Sequence, residues 1–222
     1  IVSIGALDQF KLNTGIKNPD EKQQYLLGYL PENTQWNYTI GASYKHFRTN
    51  GFETYIVSRN MLNNKQYKYQ DNDESQPKLL NYTSREAENK IRYERQLKMG
   101  SGYDLNFGAG MEYATYHNST FRAKYVGETY QPDNYETDMD MFKWNIFGQI
   151  NHTYFKKLTL SLGLRADANN YSSTMSNQLK QISPRFSASL EVSPEYFLNF
   201  NIGRYFQHPS YTTLGYSNSS GD

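Results

Sequence analysis

The sequence predicts an all-β protein whose antiparallel strands cross a membrane as part of a β-barrel wall, with short turns at one end and long loops at the other. Three observations predict it. First, Leu158, Leu160, Leu162 and Leu164 alternate with Thr159, Ser161, Gly163 and Arg165. A strand sends successive side chains to opposite faces, so this run has one greasy face and one polar face. The pattern returns in Ile182, Phe186, Ala188 and Leu190, and again in Tyr196, Leu198, Phe200 and Ile202. Second, the strand-like runs extend over about 10–15 residues, enough for a tilted strand to cross a bilayer, which needs about 9–11. Third, short and long connections alternate, as expected where turns face the periplasm and loops face outside.

Each element follows in order. Residues 1–7 read as a strand already under way, and 13–34 as a polar loop. Strands are expected at about 36–47 and 51–60, joined by Arg48-Thr49-Asn50-Gly51, because Asn-Gly supplies positive φ cheaply. Residues 61–87 read as a long loop. Strands at 88–98 and 103–116 flank Met99-Gly100-Ser101-Gly102, and 117–139 is a second long loop. Strands at 140–153 and 157–170 meet near Phe155-Lys156-Lys157, followed by a loop at 171–180. Strands at 181–192 and 195–206 meet at Val192-Ser193-Pro194-Glu195, with Pro at the corner. Ser217 to Asp222 reads as a polar loop.

Alternation assigns faces. Asn37, Thr39, Gly41, Ser43 and Lys45 form one polar row, and Asp104, Asn106, Gly108, Gly110 and Glu112 another. Trp36, Tyr38, Ile40, Ala42 and Tyr44, like Tyr103, Leu105, Phe107, Ala109, Met111 and Tyr113, point the other way, toward lipid. Strand 51–60 offers no clean apolar face. A soluble sheet with one face on a core and one in water gives the same pattern strand by strand. Aromatics such as Trp36, Trp144, Phe155 and Tyr196 near strand ends favour the membrane.

The chain has 222 residues and a net charge of +1. Hydrophobic residues make up 37% and mean hydropathy is −0.85, which excludes a bundle of spanning helices. Its 21 Tyr, 12 Phe and 2 Trp suit aromatic girdles, although composition alone favours a Tyr-rich soluble β-protein. The absence of Cys excludes disulfides and thiolate zinc sites. Near-neutral charge leaves no nucleic-acid footprint. Asn-x-Ser/Thr triplets start at Asn37, Asn81, Asn118, Asn151, Asn170 and Asn218, as expected by chance in a chain this rich in these residues.

No catalytic site is legible: GxSxG, HExxH and Walker loops are missing, and Gly108-Ala109-Gly110 reads as small residues in a strand. The chain therefore reads as a non-enzyme without a cofactor. His46, His117, His152 and His208 show no metal-ligand spacing. Asp71-Asn72-Asp73-Glu74 is the densest acidic cluster, but it lacks the Gly and terminal Glu of an EF-hand loop, so a solvated loop is the default and no metal site is assigned.

Gly163-Leu164-Arg165-Ala166-Asp167, Ile182-Ser183-Pro184-Arg185-Phe186 and Asn201 through Pro209 resemble barrel strands of TonB-dependent outer-membrane receptors of the Bacteroidetes type. The stretch from Gln35 to Asn64 is similar to the same group. The resemblance implies a bacterial outer-membrane location and a 22-stranded barrel around an N-terminal plug. It implies that residues 1–222 are an internal part of the barrel domain, with plug, TonB box and C-terminal strands outside them. It further implies energised uptake of a small nutrient, with the siderophore, cobalamin, oligosaccharide and peptide classes all open. The implied partners are outer-membrane lipid, the TonB complex through the N-terminal region, the nutrient and a surface lipoprotein. In such a barrel Arg165, Asp167 and Arg185 would belong to a charged lumen lining, with a structural cross-strand ion pair as the alternative. Aromatics in or beside the outer loops, namely Tyr67, Tyr69, Tyr82, Tyr125, Tyr130 and Tyr135, are the candidate ligand contacts, against loop packing as the plainer role. A soluble carbohydrate-binding β-sheet and a passive or adhesive barrel are the competing readings.

Overall fold

Alternating side chains and paired backbone groups organise the whole chain into one meander. The computed structural model describes residues 1–216 apart from 124, 127, 128 and 131, and of 125 and 126 the backbone alone. The elements are β1 (Val2–Phe10), α1 (Glu21–Tyr29), β2 (Glu32–Arg48), β3 (Gly51–Tyr69), β4 (Lys78–Met99), β5 (Tyr103–Arg122), β6 (Tyr125–Val126), β7 (Thr129–Tyr130), β8 (Asp133–Tyr154), β9 (Leu158–Asn169), β10 (Ile182–Ser193), β11 (Tyr196–Gly203) and α2 (Tyr211–Leu214). Nine strands form one antiparallel sheet in the order β1-β2-β3-β4-β5-β8-β9-β10-β11, and β6 and β7 form a small ribbon of their own. The large sheet is open, with β1 and β11 at its edges. No helix is long and apolar enough to cross a membrane.

Four tight turns lie where the sequence places them. Gly51 follows the first with φ +147°, and a Cβ there would meet the Gln96 carbonyl oxygen at 1.9 Å. In the third, Phe155 and Lys156 both take positive φ, at 51° and 61°. This is the pairing a type I′ hairpin needs to match strand twist. Gly108 answers a different demand: the Phe147 ring lies over it, so that a Cβ would come 2.7 Å from the ring and 2.2 Å from the Tyr93 carbonyl oxygen.

The long loops are where the sequence expectation fails. Residues 61–87 are mostly strand, since β3 runs to Tyr69 and β4 starts at Lys78. Residues 117–139 likewise belong largely to β5 and β8. β4 and β8 each have 22 residues, spanning ~70 Å at about 3.3 Å per residue. Only part of that length lies in lipid. Beyond the bilayer both faces are wet, so alternation fades from the sequence while the hydrogen-bond ladder continues. Trp36 and Trp144 consequently stand within their strands, at the border of the apolar band, rather than at strand ends. The expected loop at 13–34 contains α1, and β11 stops at Gly203 rather than 206. The Ser217–Asp222 segment and the triplet at Asn218 lie outside the described residues.

Register shows that the greasy rows share one face. Directly opposite residues share a face, and Ala42 lies opposite Val57, Val57 opposite Ile91, Ile91 opposite Met111 and Met111 opposite Trp144. On the far side Ile150 lies opposite Leu162, Leu162 opposite Phe186 and Phe186 opposite Ile202. Ile91 is 64% exposed, and Leu162 and Ile202 are each 61% exposed. A contiguous apolar face this bare fits lipid, not water. Tyr44, Tyr55, Tyr93, Tyr103 and Tyr154 border it at the turn end, and Trp36, Tyr38, Tyr113, Phe142 and Trp144 at the loop end. β1 departs from the pattern, since Val2 and Ile4 lie opposite Gly41 and Thr39 on the polar face.

Candidate functional site: a charged inner face under a C-terminal segment

The polar face carries paired charges in cross-strand register. Lys90 of β4 lies opposite Glu112 of β5, and Glu112 opposite Lys143 of β8. Glu88 shares the Lys90 face, two residues along β4. Lys90 Nζ stands 2.6 Å from Glu88 and 3.3 Å from Glu112. Lys143 Nζ pairs with Glu112 and lies 3.7 Å from Glu88. Two cations and two anions thus alternate, and no charge of the four is left without a partner. Arg92 pairs with Glu94 lower on the same face of β4 and stacks over Phe147 at 5.0 Å.

Residues 204–216 leave β11 and fold over this network. The α2 helix is one turn long, capped by Ser210, whose Oγ accepts from the Thr213 amide at 3.3 Å. Its first residue, Tyr211, donates its phenol to Glu88 Oε1 at 2.6 Å. Lys143 donates to the same phenol oxygen and lies 4.7 Å from the ring centre. Burial first, and then the Glu88 hydrogen bond, push the Tyr211 phenol far above its usual range, so it stays protonated and donates. Beneath the segment lie the buried Ala114, Tyr116 and Met141. Tyr116 stacks against Tyr211 at 6.3 Å between ring centres, and Tyr171 donates to the Leu214 carbonyl at 3.1 Å. His208 rests within 3.4 Å of the Asn169 amide nitrogen. Burial, reinforced by the Lys143 charge, lowers the His208 pKa and favours the neutral ring.

The residues singled out from sequence fall as follows. Arg165 grips Asp167 by its Nε at 2.8 Å and its Nη2 at 2.7 Å, both on the polar face of β9. Arg185 lies on that face opposite Gly163 and covers the Tyr205 ring at 4.8 Å. The six tyrosines do not converge. Tyr82 and Tyr135 both lie opposite Thr120 on the inner side, one on each flank, with Tyr135 edge-on to Tyr216 at 5.8 Å. Tyr67 and Tyr69 stand on the outer side, edge to face at 5.8 Å, and Tyr67 donates to Glu32 at 2.9 Å. They are strand residues rather than loop residues. Tyr130 sits in β7, about half exposed, and the Tyr125 side chain lies outside the described residues.

In the acidic stretch Asp73 accepts from the Ser75 amide at 2.9 Å and hydroxyl at 2.7 Å, which lowers its pKa. Asn72 accepts from Lys68 instead. The stretch thus spends oxygen atoms on its own turn. Among the described residues His117, Glu136 and Asp138 bring ligand atoms within 4.8 Å of one another, in an exposed position on the outer side.

Sequence reading missed two features. The α1 helix presents Tyr25 and Tyr29, stacked at 5.6 Å and largely exposed. Its signal was legible as Asp20-Glu21-Lys22-Gln23, a capping box in which Asp20 and Gln23 exchange hydrogen bonds of 2.7 and 3.0 Å. The Tyr211 contact carries no such local signal, since its partner Glu88 lies 123 residues away.

An open antiparallel sheet with a lipid-type outer face and a wet, charge-paired inner face defines a segment of an outer-membrane β-barrel wall. A family model described as TonB dependent receptor-like, beta-barrel matches residues 4–222, and the chain belongs to that family. The family is one of bacterial outer-membrane receptors and transporters rather than enzymes. A search of curated proteins found no match.

Proposed function

We propose that this chain is an internal part of a 22-stranded barrel that binds a small nutrient at the cell surface and imports it with energy from the TonB complex. The observation that carries the proposal is the inner face. A static pore lining needs no compensated ladder covered by its own chain. A barrel whose interior contacts must release and re-form gains from the alternation Glu88, Lys90, Glu112 and Lys143, because a displaced partner leaves paired charges behind. Arg165, Asp167 and Arg185 extend that lining. Ligand contact would fall to Tyr82, Tyr135 and Tyr130 toward the loop end, with Tyr67, Tyr69 and Tyr125 as further contacts around the rim. A plug with its TonB box and a surface lipoprotein would complete the assembly. Burial of the exposed apolar face in lipid disfavours a soluble carbohydrate-binding sheet.

The test is uptake by cells carrying the full-length receptor, with siderophore, cobalamin, oligosaccharide and peptide panels compared before and after loss of TonB. Accumulation of one class that disappears with TonB supports the proposal. Equal accumulation in both strains means a passive barrel and overturns it.

A further inference from the structure

We infer that the outer face of β2, β3 and β4 holds a phosphate-bearing lipid, its headgroup at Arg59 and its hydrocarbon along Ile40, Ala42 and Val57. Arg59 belongs to the lipid-facing row, directly opposite Ile40 on one side and Asn89 on the other. Its Nε donates to the Tyr38 hydroxyl at 3.0 Å and its Nη1 to Asn89 Oδ1 at 2.7 Å. Both partners are neutral, and among the described residues no carboxylate pairs with Arg59. An ionisable group in a membrane wall is costly unless it finds a counter-charge. Tyr38 and Asn89 fix the guanidinium but leave its charge uncompensated.

Depth supports a headgroup. Asn89 lies opposite Tyr113, and Tyr113 opposite Phe142, so Arg59 sits level with the loop-end aromatic border rather than in mid-bilayer. Farther along the same face stand Lys65 and Arg85, both exposed and without an acidic partner among the described residues. Of the carboxylates on that face, Glu32 is engaged by Tyr67 and Asp138 by His117. Toward the membrane, Ile1, Ile40, Ala42, Val57 and Arg59 line a groove of about 420 Å³. A guanidinium fork above an apolar groove matches a phosphate with an acyl chain beneath it. A free phosphate ion would satisfy the fork and leave the groove unused.

The experiment uses the full-length receptor in phosphatidylcholine vesicles with and without phosphatidylglycerol as the probe lipid. Native mass spectrometry and unfolding midpoints read the bound lipid. Wild type should retain phosphatidylglycerol preferentially, and R59Q should weaken that retention about fivefold, the effect of one cation near a charged headgroup. R85Q, at an exposed site that tolerates change, should weaken it in the same direction. K157Q, at the opposite rim, should leave it unchanged. Retention unaffected by R59Q and R85Q, or lowered equally by K157Q, overturns the inference. Inorganic phosphate that reproduces the full stabilisation in phosphatidylcholine alone also overturns it, by making the site a simple anion site. Failure of wild type to insert into any vesicle would instead strike at the barrel itself, which separates the two conclusions.

Discussion

An arginine scan along β9 tests both the face and the depth of the wall. Tyr103 and Tyr113 border the apolar band on β5, and Trp144 and Tyr154 border it on β8, each pair ten residues apart. At about 3.3 Å per residue that is ~33 Å of strand, and a tilt of roughly 40° projects it to ~25 Å, the height of a barrel's apolar band. Leu162 lies opposite Ile150, four residues from Tyr154 and six from Trp144. It therefore sits ~10 Å inside the turn-end border and close to the midplane. Leu158 lies opposite Tyr154, at the border itself. Leu162→Arg should destabilise by about 2–4 kcal/mol and Leu158→Arg by only about 0–1 kcal/mol. Ser161→Arg, on the wet inner face opposite Asn151 and Ser187, should stay within about 0.5 kcal/mol of wild type. Equilibrium unfolding of the full-length protein in vesicles gives all three values. Equal costs at 158 and 162, or a larger cost at 161 than at 162, would falsify the membrane assignment of the apolar face.

Three further outcomes follow from local geometry. Gly51→Ala drives a Cβ into the Gln96 carbonyl at a positive φ, so it should lower stability by more than about 1 kcal/mol in the same unfolding assay. Lys156→Gly relieves a left-handed conformation that costs an L-residue about 1–2 kcal/mol, and should raise stability by about 1 kcal/mol; a loss would contradict the turn geometry. Docking of residues 204–216 should weaken with acid. The ordinary His value of 6.5 is lowered in the docked state, so the free segment binds the proton more readily. Docking is then complete above about 6.5 and lost as pH falls through the lowered value, with Lys143 opposing and Asp167 and Glu112 favouring the charged ring. A fluorophore on Gln207→Cys should report release in acid, and His208→Gln should flatten the profile; an unchanged profile would assign the transition to another group.

What the sequence revealed depends on which solvent each residue meets. Leu158 to Leu164 alternate because lipid lies on one side and water on the other, so the contrast survives in the residue types. At Asn63, Lys65 and Thr83 both sides are polar, the contrast disappears, and the strands looked like loops although their ladder is continuous. Strand 51–60 looked ambiguous for another reason. Phe52 and Ile56 face inward while Glu53 and Arg59 face outward, against the prevailing rule. Glu53 is buried and is held by Arg48, Arg95 and Tyr55 at the turn-end border, where the half-exposed Arg48 reaches water. Asp20 and Gln23 announced a helix start in plain sequence, but α1 has no apolar face to make its periodicity visible. The Tyr211 latch is a long-range contact, and long-range partners are not written in any local pattern.

The two faces are consequently held by different physics, and this bears on where selectivity resides. The outer face needs only apolar side chains of roughly the right size, because lipid adapts to whatever shape it meets; Leu, Ile, Phe and Met serve interchangeably there. The inner face is specified atom by atom. Removing Lys143 would strand Glu112 and Glu88 with Lys90 as their remaining cation and free the Tyr211 phenol from one of its three neighbours, leaving Glu88 and Glu112. Contact of Tyr116 with Tyr211 and with the backbone at Gly215 supplies the adhesion, while the ladder supplies alignment. A contact built this way can open without exposing an unpaired charge, since each ion keeps a partner in the wall when Tyr211 leaves. Residues 204–216 are thus attached through the Tyr211 and Tyr171 phenols, the His208 imidazole, the stacking of Arg185 on Tyr205 and a small aromatic and apolar pad. Displacing the segment therefore requires replacing the Tyr211 hydrogen bond to Glu88 and re-covering Tyr116, while the charges of the wall stay paired.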